Sequence, residues 1–263
     1  MLVIAHRGAS AVAPENTLAA FREAVRVGAD LIELDVRLSR DGVVVVFHDR
    51  DLSRTTNGAG PVAARTFSDL KRLDAGGYFS SRFEGERIPA LEEVIHVVST
   101  GRTGLYIELK IDRGGEDVRA ELVDRTLAVI KSCRFRERSF LASFDRESLR
   151  LAKDVLPTMR TGLIFRDKEV WEQSKEEGRR DIDILCARWN IVTAYHVETA
   201  HQAGREVFAW TIDRAEELDR ILPLSVDGIA SNNPQWLINA LKDELPTSNV
   251  QLTTSNDDEA RCS

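Results

Sequence analysis

Leu2-Val3-Ile4-Ala5-His6-Arg7-Gly8-Ala9-Ser10-Ala11-Val12-Ala13-Pro14-Glu15-Asn16-Thr17 opens the chain, and its reading decides the fold. Leu2 to Ala5 are an apolar run that suits a short buried strand. A histidine and an arginine follow at once, set on a glycine. Pro14 and Asn16 then lead into a helix, with Asn16 as its N-cap. On that helix Leu18, Phe21 and Val25 share one face, and Gly28 closes it as a C-terminal cap. This is one βα unit with polar chemistry placed where the strand ends.

The same alternation runs almost to the end of the chain. Strands are expected at 2–5, 30–36, 43–47, 105–109, 138–143, 161–165, 182–186, 206–211 and 226–230. Between them, Leu122, Val123, Leu127 and Ile130 mark one helical face, and Leu218, Ile221 and Leu222 another. Strands alternating with helices imply a parallel sheet. We therefore expect an α/β fold, a (β/α)8 TIM-type barrel, in preference to an open doubly wound sheet. No GxGxxG or P-loop opens a helix, which disfavours a nucleotide site.

Nine strands exceed a barrel by one, and the surplus lies between Val36 and Phe47. Asp41-Gly42 between two apolar runs signals a hairpin, with a two-residue turn that pairs Asp35 opposite His48. So short a connection cannot hold a crossover helix. Residues 50–88 are turn-rich and read as an insertion after the third strand, either a lid or a small subdomain. The barrel domain is expected over 1–245, and the polar stretch 246–263 as a disordered tail.

Composition narrows the function. The chain has 263 residues, 43% hydrophobic and 30% charged, with no apolar run long enough for a membrane span. The net charge of −7 argues against a nucleic-acid partner and leaves room for an acidic cluster that a cation neutralises. His6-Arg7 follow only five residues and no basic segment, so no secretory signal is expected. Cys133, Cys186 and Cys262 show no metal spacing and suit a reducing compartment, hence a cytoplasmic location.

Glu33 and Asp35 are two apart on one strand, so they share a face. Inside a barrel they would need a cation or a pairing partner; the alternative is a solvated outer face. Glu108 ends another strand in similar surroundings, with Lys110 on its face. Three carboxylates suit a hard divalent ion: Mg²⁺ first, Ca²⁺ or Mn²⁺ as alternatives. His6 and His48 stand just past two apolar strands, where a barrel keeps its catalytic groups. A pair of histidines beside the carboxylates reads as general acid and base. Arg7 suits bidentate contact with phosphate, or else a plain salt bridge. His96, His196 and His201 lack such context and read as solvated or structural.

His6-Arg7-Gly8, Pro14-Glu15-Asn16-Thr17, Glu33-Leu34-Asp35-Val36, Phe47-His48-Asp49, Arg54-Thr55-Thr56-Asn57-Gly58, Ile88-Pro89-Ala90-Leu91-Glu92-Glu93 and Glu108-Leu109-Lys110 together resemble the glycerophosphodiester phosphodiesterases. The resemblance continues through Trp210-Thr211 and Asp227-Gly228-Ile229, and covers roughly residues 2–240. It implies a TIM-type barrel, a divalent cation on Glu33, Asp35 and Glu108, and acid–base histidines at His6 and His48. It further implies Arg7 and Lys110 near the phosphate, and Trp210 on the glycerol side. The substrate would be a small glycerophosphodiester, cleaved to glycerol 3-phosphate and an alcohol. Ala230-Ser231-Asn232-Asn233-Pro234 departs from the family's usual Thr-Asp-Pro, so Asn233 is given no role. A lysophospholipase D-type or phospholipase C-like enzyme on the same barrel is the alternative. That would require an apolar rim, for which Tyr78, Phe79 and Phe83 are the local aromatic group.

Overall fold

The computed structural model describes residues 1–111, 115–171 and 181–244. The expected tail at 246–263, with Cys262, lies outside them. Nine strands are present among the described residues: β1 Leu2–Ala5, β2 Leu31–Leu38, β3 Val44–Val46, β4 Gly104–Leu109, β5 Ser139–Ser143, β6 Thr161–Phe165, β7 Ile184–Arg188, β8 Glu206–Trp210 and β9 Gly228–Ser231. Their order is β1-β9-β8-β7-β6-β5-β4-β2-β3, and β1 also pairs with β2. That last pairing closes a barrel of eight parallel strands. The ninth, β3, runs antiparallel along β2 and stays outside it. The expected barrel and the surplus hairpin strand are both present.

The hairpin register differs from the expected one. Val36 pairs with Val46 and Leu38 with Val44, so Asp35 stands opposite Phe47 rather than His48. The turn holds three residues, with Gly42 left-handed at φ 76°. The cause is tertiary. Ser39 Oγ donates to the Asp41 carboxylate at 2.6 Å, and Phe67 N, from the following segment, donates to the same oxygen at 2.9 Å. Asp41 is thereby drawn away from the two-residue turn that Asp-Gly favours.

Side-chain parity organises the rest. On β2, Ile32, Leu34 and Val36 point outward into an apolar layer with the helices. Inside the barrel Ile4, Tyr106, Phe140, Ile164, Cys186 and Phe208 form a separate packed cluster. The inward series of each strand, carried two residues further, leaves the packed interior and reaches the mouth. Ile4 leads to His6, Leu31 to Glu33 and Asp35, Tyr106 to Glu108, and Phe208 to Trp210.

Helix α1, Leu18–Val27, fixes the first of these corners. Its N-cap is Thr17, whose hydroxyl accepts Ala20 N, and Gly28 closes it at φ 84° as expected. Asn16 is therefore not the cap; its backbone is left-handed at φ 57° and its side chain turns inward. The buried face centres on Ala20, Phe21 and Ala24, flanked by Leu18 and Val25. Small residues there let the helix approach the strand exit. A Cβ on Gly8 would lie 2.7 Å from the Ala20 Cβ, and Gly8 sits at φ 81°, so only glycine fits.

Five longer helices among the described residues cover the remaining barrel. They are α3 Leu91–Val98, α4 Glu116–Ser132, α5 Arg146–Val155, α6 Ala194–Gln202 and α8 Pro234–Glu244, with the short α7 Ala215–Ile221 before the last strand. Leu122, Val123, Leu127 and Ile130 are buried on α4, and Leu218 and Ile221 on α7. Residues 50–88 hold short 3₁₀ turns and the one-turn α2, Phe67–Leu70. They pack on the hairpin through Val45, Phe47, Leu52, Val62, Leu70 and Ile88. No helix among the described residues is long and apolar enough to cross a membrane.

Candidate active site

The mouth of the barrel gathers the residues that the sequence singled out. Glu33, Asp35 and Glu108 are all buried and place one carboxylate oxygen each within 4.8 Å of one another. Parallel pairing of β2 with β4 sets Asp35 beside Glu108. The solvated alternative for Glu33 and Asp35 is thereby excluded. Burial, with Asp35 and Glu108 nearby, pushes Glu33 well above the usual carboxylate range. Burial likewise pushes Glu108 up to about 7, against the pull of Lys110. Asp35 goes the other way, because Lys110, Arg7 and His48 outweigh its burial and hold it low.

Two cations flank the acids without saturating them. Lys110 Nζ lies 2.7 Å from Glu108 Oε1 and 3.4 Å from Asp35 Oδ1. Arg7 Nε is 3.5 Å from Asp35 Oδ2, while its Nη1 donates to Glu15 at 2.8 Å. Asp35 Oδ1 is buried and accepts no hydrogen bond. An oxygen-only set of three buried acids, one with an orphaned lone pair, is the donor chemistry of a hard divalent cation. The residues present fit such an ion.

Each acid is also oriented. Arg7 N, left-handed at φ 55°, donates to Glu33 Oε2 at 2.8 Å. Asn16 Nδ2 donates to Asp35 Oδ2 at 2.7 Å, which is what its inward turn accomplishes. The helix-capping role expected for Asn16 belongs instead to its neighbour Thr17.

The histidines stand on either side. His6 Nε2 is 3.9 Å from Glu33 Oε2, and its Nδ1 is bonded to Asn232 Oδ1 at 2.7 Å. His48 Nδ1 is bonded to Asp49 Oδ1 at 2.6 Å. Arg54, from the 50–88 segment, holds the other Asp49 oxygen and both oxygens of Glu15. Burial and Arg7 push His6 down to about 4. Burial and Lys110 lower His48 too, while the Asp35 and Asp49 carboxylates pull it back up. Arg54 and His48 hold Asp49 down to about 2 despite its partial burial.

A cavity of about 420 Å³ joins these groups to Tyr106, Phe144, Ile164, Arg166 and Trp210. Trp210 donates its ring N–H to Cys186 O at 2.9 Å and meets Phe144 edge-on, ring centroids 6.0 Å apart. His6, Arg7, Glu33, His48, Glu108, Lys110 and Trp210 line this cavity, and Asp35 lies beneath it. His96 is exposed, His196 stacks on Trp171, and His201 pairs with Asp227, so none of the three belongs to the site. Asn232, Asp49, Arg54, Phe144 and Arg166 were given no role by sequence, although Asp49 and Arg54 stand in the motifs that carry the resemblance. Parity would have found three of them, since Phe144, Arg166 and Asn232 each follow an inward residue by two.

The family model described as the glycerophosphoryl diester phosphodiesterase family matches residues 6–236. A glycerophosphodiester phosphodiesterase of Caldanaerobacter subterraneus subsp. tengcongensis is 39% identical, over 92% of this chain and 98% of its own. A solved phosphodiesterase of Oleispira antarctica, in complex with the product sn-glycerol-3-phosphate, superposes with a TM-score of 0.85 at 33% identity. That match covers 92% of this chain and 97% of the other. A glycerophosphodiester phosphodiesterase of Agrobacterium tumefaciens superposes with a TM-score of 0.76 at 32% identity, covering 89% and 97%.

Proposed function

The chain belongs to the glycerophosphoryl diester phosphodiesterase family, and we propose that it hydrolyses small glycerophosphodiesters to glycerol 3-phosphate and an alcohol, with a divalent cation and two histidines. The observation that carries this reading is the buried Glu33–Asp35–Glu108 set flanked by two histidines, each bonded through Nδ1 to a residue behind it. A cavity of about 420 Å³ suits a small diester. Nothing in it favours a lipid chain over a glycerol unit.

Glu33, Asp35 and Glu108 would hold the cation, Mg²⁺ ahead of Ca²⁺ or Mn²⁺. When bound, such an ion supplies a Lewis acid for a non-bridging phosphate oxygen. Arg7 and Lys110 offset the charge that develops on phosphorus oxygens. His6, kept neutral by burial and backed by an uncharged amide, takes the proton from the attacking hydroxyl. His48 is lowered by burial but backed by the Asp49 carboxylate, which His6 lacks, so of the two it is the one we assign to protonate the departing alcohol. Trp210 and Phe144 wall the glycerol carbons. The catalytic unit is residues 1–245 with the 50–88 insertion as part of it, since Arg54 reaches the site from there.

Substitution tests the acid–base pair. His6→Ala and His48→Ala should each stay folded, bind the cation normally and lose about 10²–10⁴-fold in kcat. Near-normal turnover in either variant, with cation binding intact, would make that histidine structural. The attacking hydroxyl is either water or the glycerol 2-hydroxyl. A diester with hydrogen in place of that hydroxyl separates them, because it reacts slowly only if the hydroxyl attacks.

A further inference from the structure

The imidazole of His6 has two nitrogens, and the residues behind it decide which one carries the proton. Its Nδ1 lies 2.7 Å from Oδ1 of Asn232, and its Nε2 is turned toward Glu33. An amide has a donor end and an acceptor end of nearly the same shape, so its direction must come from its bonding. Asp213 supplies that direction. Its Oδ1 accepts Ser231 Oγ at 2.8 Å and the Asn232 backbone N at 2.7 Å, which hold the carboxylate in place. Its Oδ2 meets the Asn232 side chain at 2.5 Å. A carboxylate only accepts, so the amide must present Nδ2 there, and Oδ1 is left for His6.

Other bonds agree with this direction. Ser10 Oγ is 2.9 Å from the same Asn232 Oδ1 and 2.8 Å from the His6 carbonyl, and shares its one proton between them. His6 N donates to Ser231 O at 2.9 Å, so the histidine is tied to the strand end that carries the amide. With an acceptor fixed against Nδ1, the neutral ring must hold its proton on Nδ1 and its lone pair on Nε2.

We propose that Asp213 is a positioning residue for catalysis: through the amide of Asn232 it fixes the tautomer of His6, so that Nε2 meets the substrate as a proton acceptor. Asp213 lines the cavity adjoining the reactive one and not the reactive one itself, so its influence passes through Asn232. The inference rests on the reading of His6 as general base.

The test is an exchange of the two side chains. In Asp213→Asn, residue 213 keeps an acceptor for Ser231 but turns a donor toward the Asn232 amide. Two donors cannot face each other, so the amide rotates and offers Nδ2 to His6, which moves its proton to Nε2. Asp213→Asn/Asn232→Asp restores a donor–acceptor contact with the same total charge and again gives His6 an acceptor. Nitrogen NMR of the histidine rings in the full chain, with His6 assigned by the loss of its signals in His6→Ala, reads the tautomer without reference to activity. We expect an Nδ1–H ring in the parent and the exchange variant and an Nε2–H ring in Asp213→Asn. The single variant should lose about 10²-fold in kcat with KM little changed, and the exchange should recover it.

An unchanged Nδ1–H ring in Asp213→Asn, or an exchange variant that stays inactive, would overturn the proposal. If Asp213→Asn does not fold, the exchange variant decides alone, and must show both the Nδ1–H ring and parental kcat. A correct set of tautomers with a fully active His6→Ala would instead sink the reading of His6 as base and leave the positioning intact.

Discussion

Asn16 and Asn232 do related work at the barrel mouth, since each sets an amide against one side chain there, Asp35 and His6. Asn16 donates to Asp35 Oδ2 at 2.7 Å, and removing it frees that carboxylate to turn. Asn16→Ala should weaken divalent-cation binding about 10–100-fold, the usual effect of losing a ligand's supporting contact, as calorimetry would measure; unchanged affinity would show that Arg7 and Lys110 suffice. Protonation gives a second prediction. Glu33 and Glu108 are raised, Glu108 to about 7, so they bind protons that a cation must displace. Affinity should therefore rise with pH, and Glu108 alone should make it about tenfold weaker at pH 6 than at pH 8. A flat profile would mean that the carboxylates are already ionised. The histidines and acids that meet at the mouth were legible in sequence, because such a residue directly after an apolar run breaks the pattern of its strand. Their supports were not. Asn16 precedes a helix and looks like a cap, so only its three-dimensional partner reveals it; Asn232 follows the inward Ala230 by two, so parity places it at the mouth but does not say which side chain it holds.

At the scale of elements, the corner between β1 and α1 leaves little room. Gly28 and Gly8 are both left-handed, but a Cβ on Gly28 meets open space and one on Gly8 meets Ala20. Gly28→Ala should cost about 1–2 kcal/mol through backbone strain alone, with kcat unchanged. Gly8→Ala should cost more and also lower kcat, because its neighbours His6 and Arg7 must shift. Urea unfolding with parallel turnover assays distinguishes these outcomes, and equal costs would refute the packing argument. The eight parallel strands were readable because buried parallel strands are continuous apolar runs separated by helical patterns. The hairpin register was not, because Asp41 is claimed by Ser39 and by Phe67 from a segment far along the chain. Local turn chemistry cannot anticipate that contact.

For the whole molecule, the closed barrel supplies rigidity and the mouth gathers the residues proposed for the chemistry, so the polar stretch from 248 on should matter little. Deleting residues 248–263 should leave kcat and Tm nearly unchanged, and a marked fall in Tm would mean that this segment docks on the barrel. The central claim is that three buried carboxylates make a cation-dependent diesterase. The most direct measurement is product analysis with glycerophosphocholine after exhaustive chelation and then after returning Mg²⁺, Ca²⁺ or Mn²⁺. We predict no turnover in the chelated protein, and glycerol 3-phosphate with choline once a divalent cation is restored. Full turnover in the metal-free protein, or release of phosphocholine and glycerol in place of those products, would contradict the account.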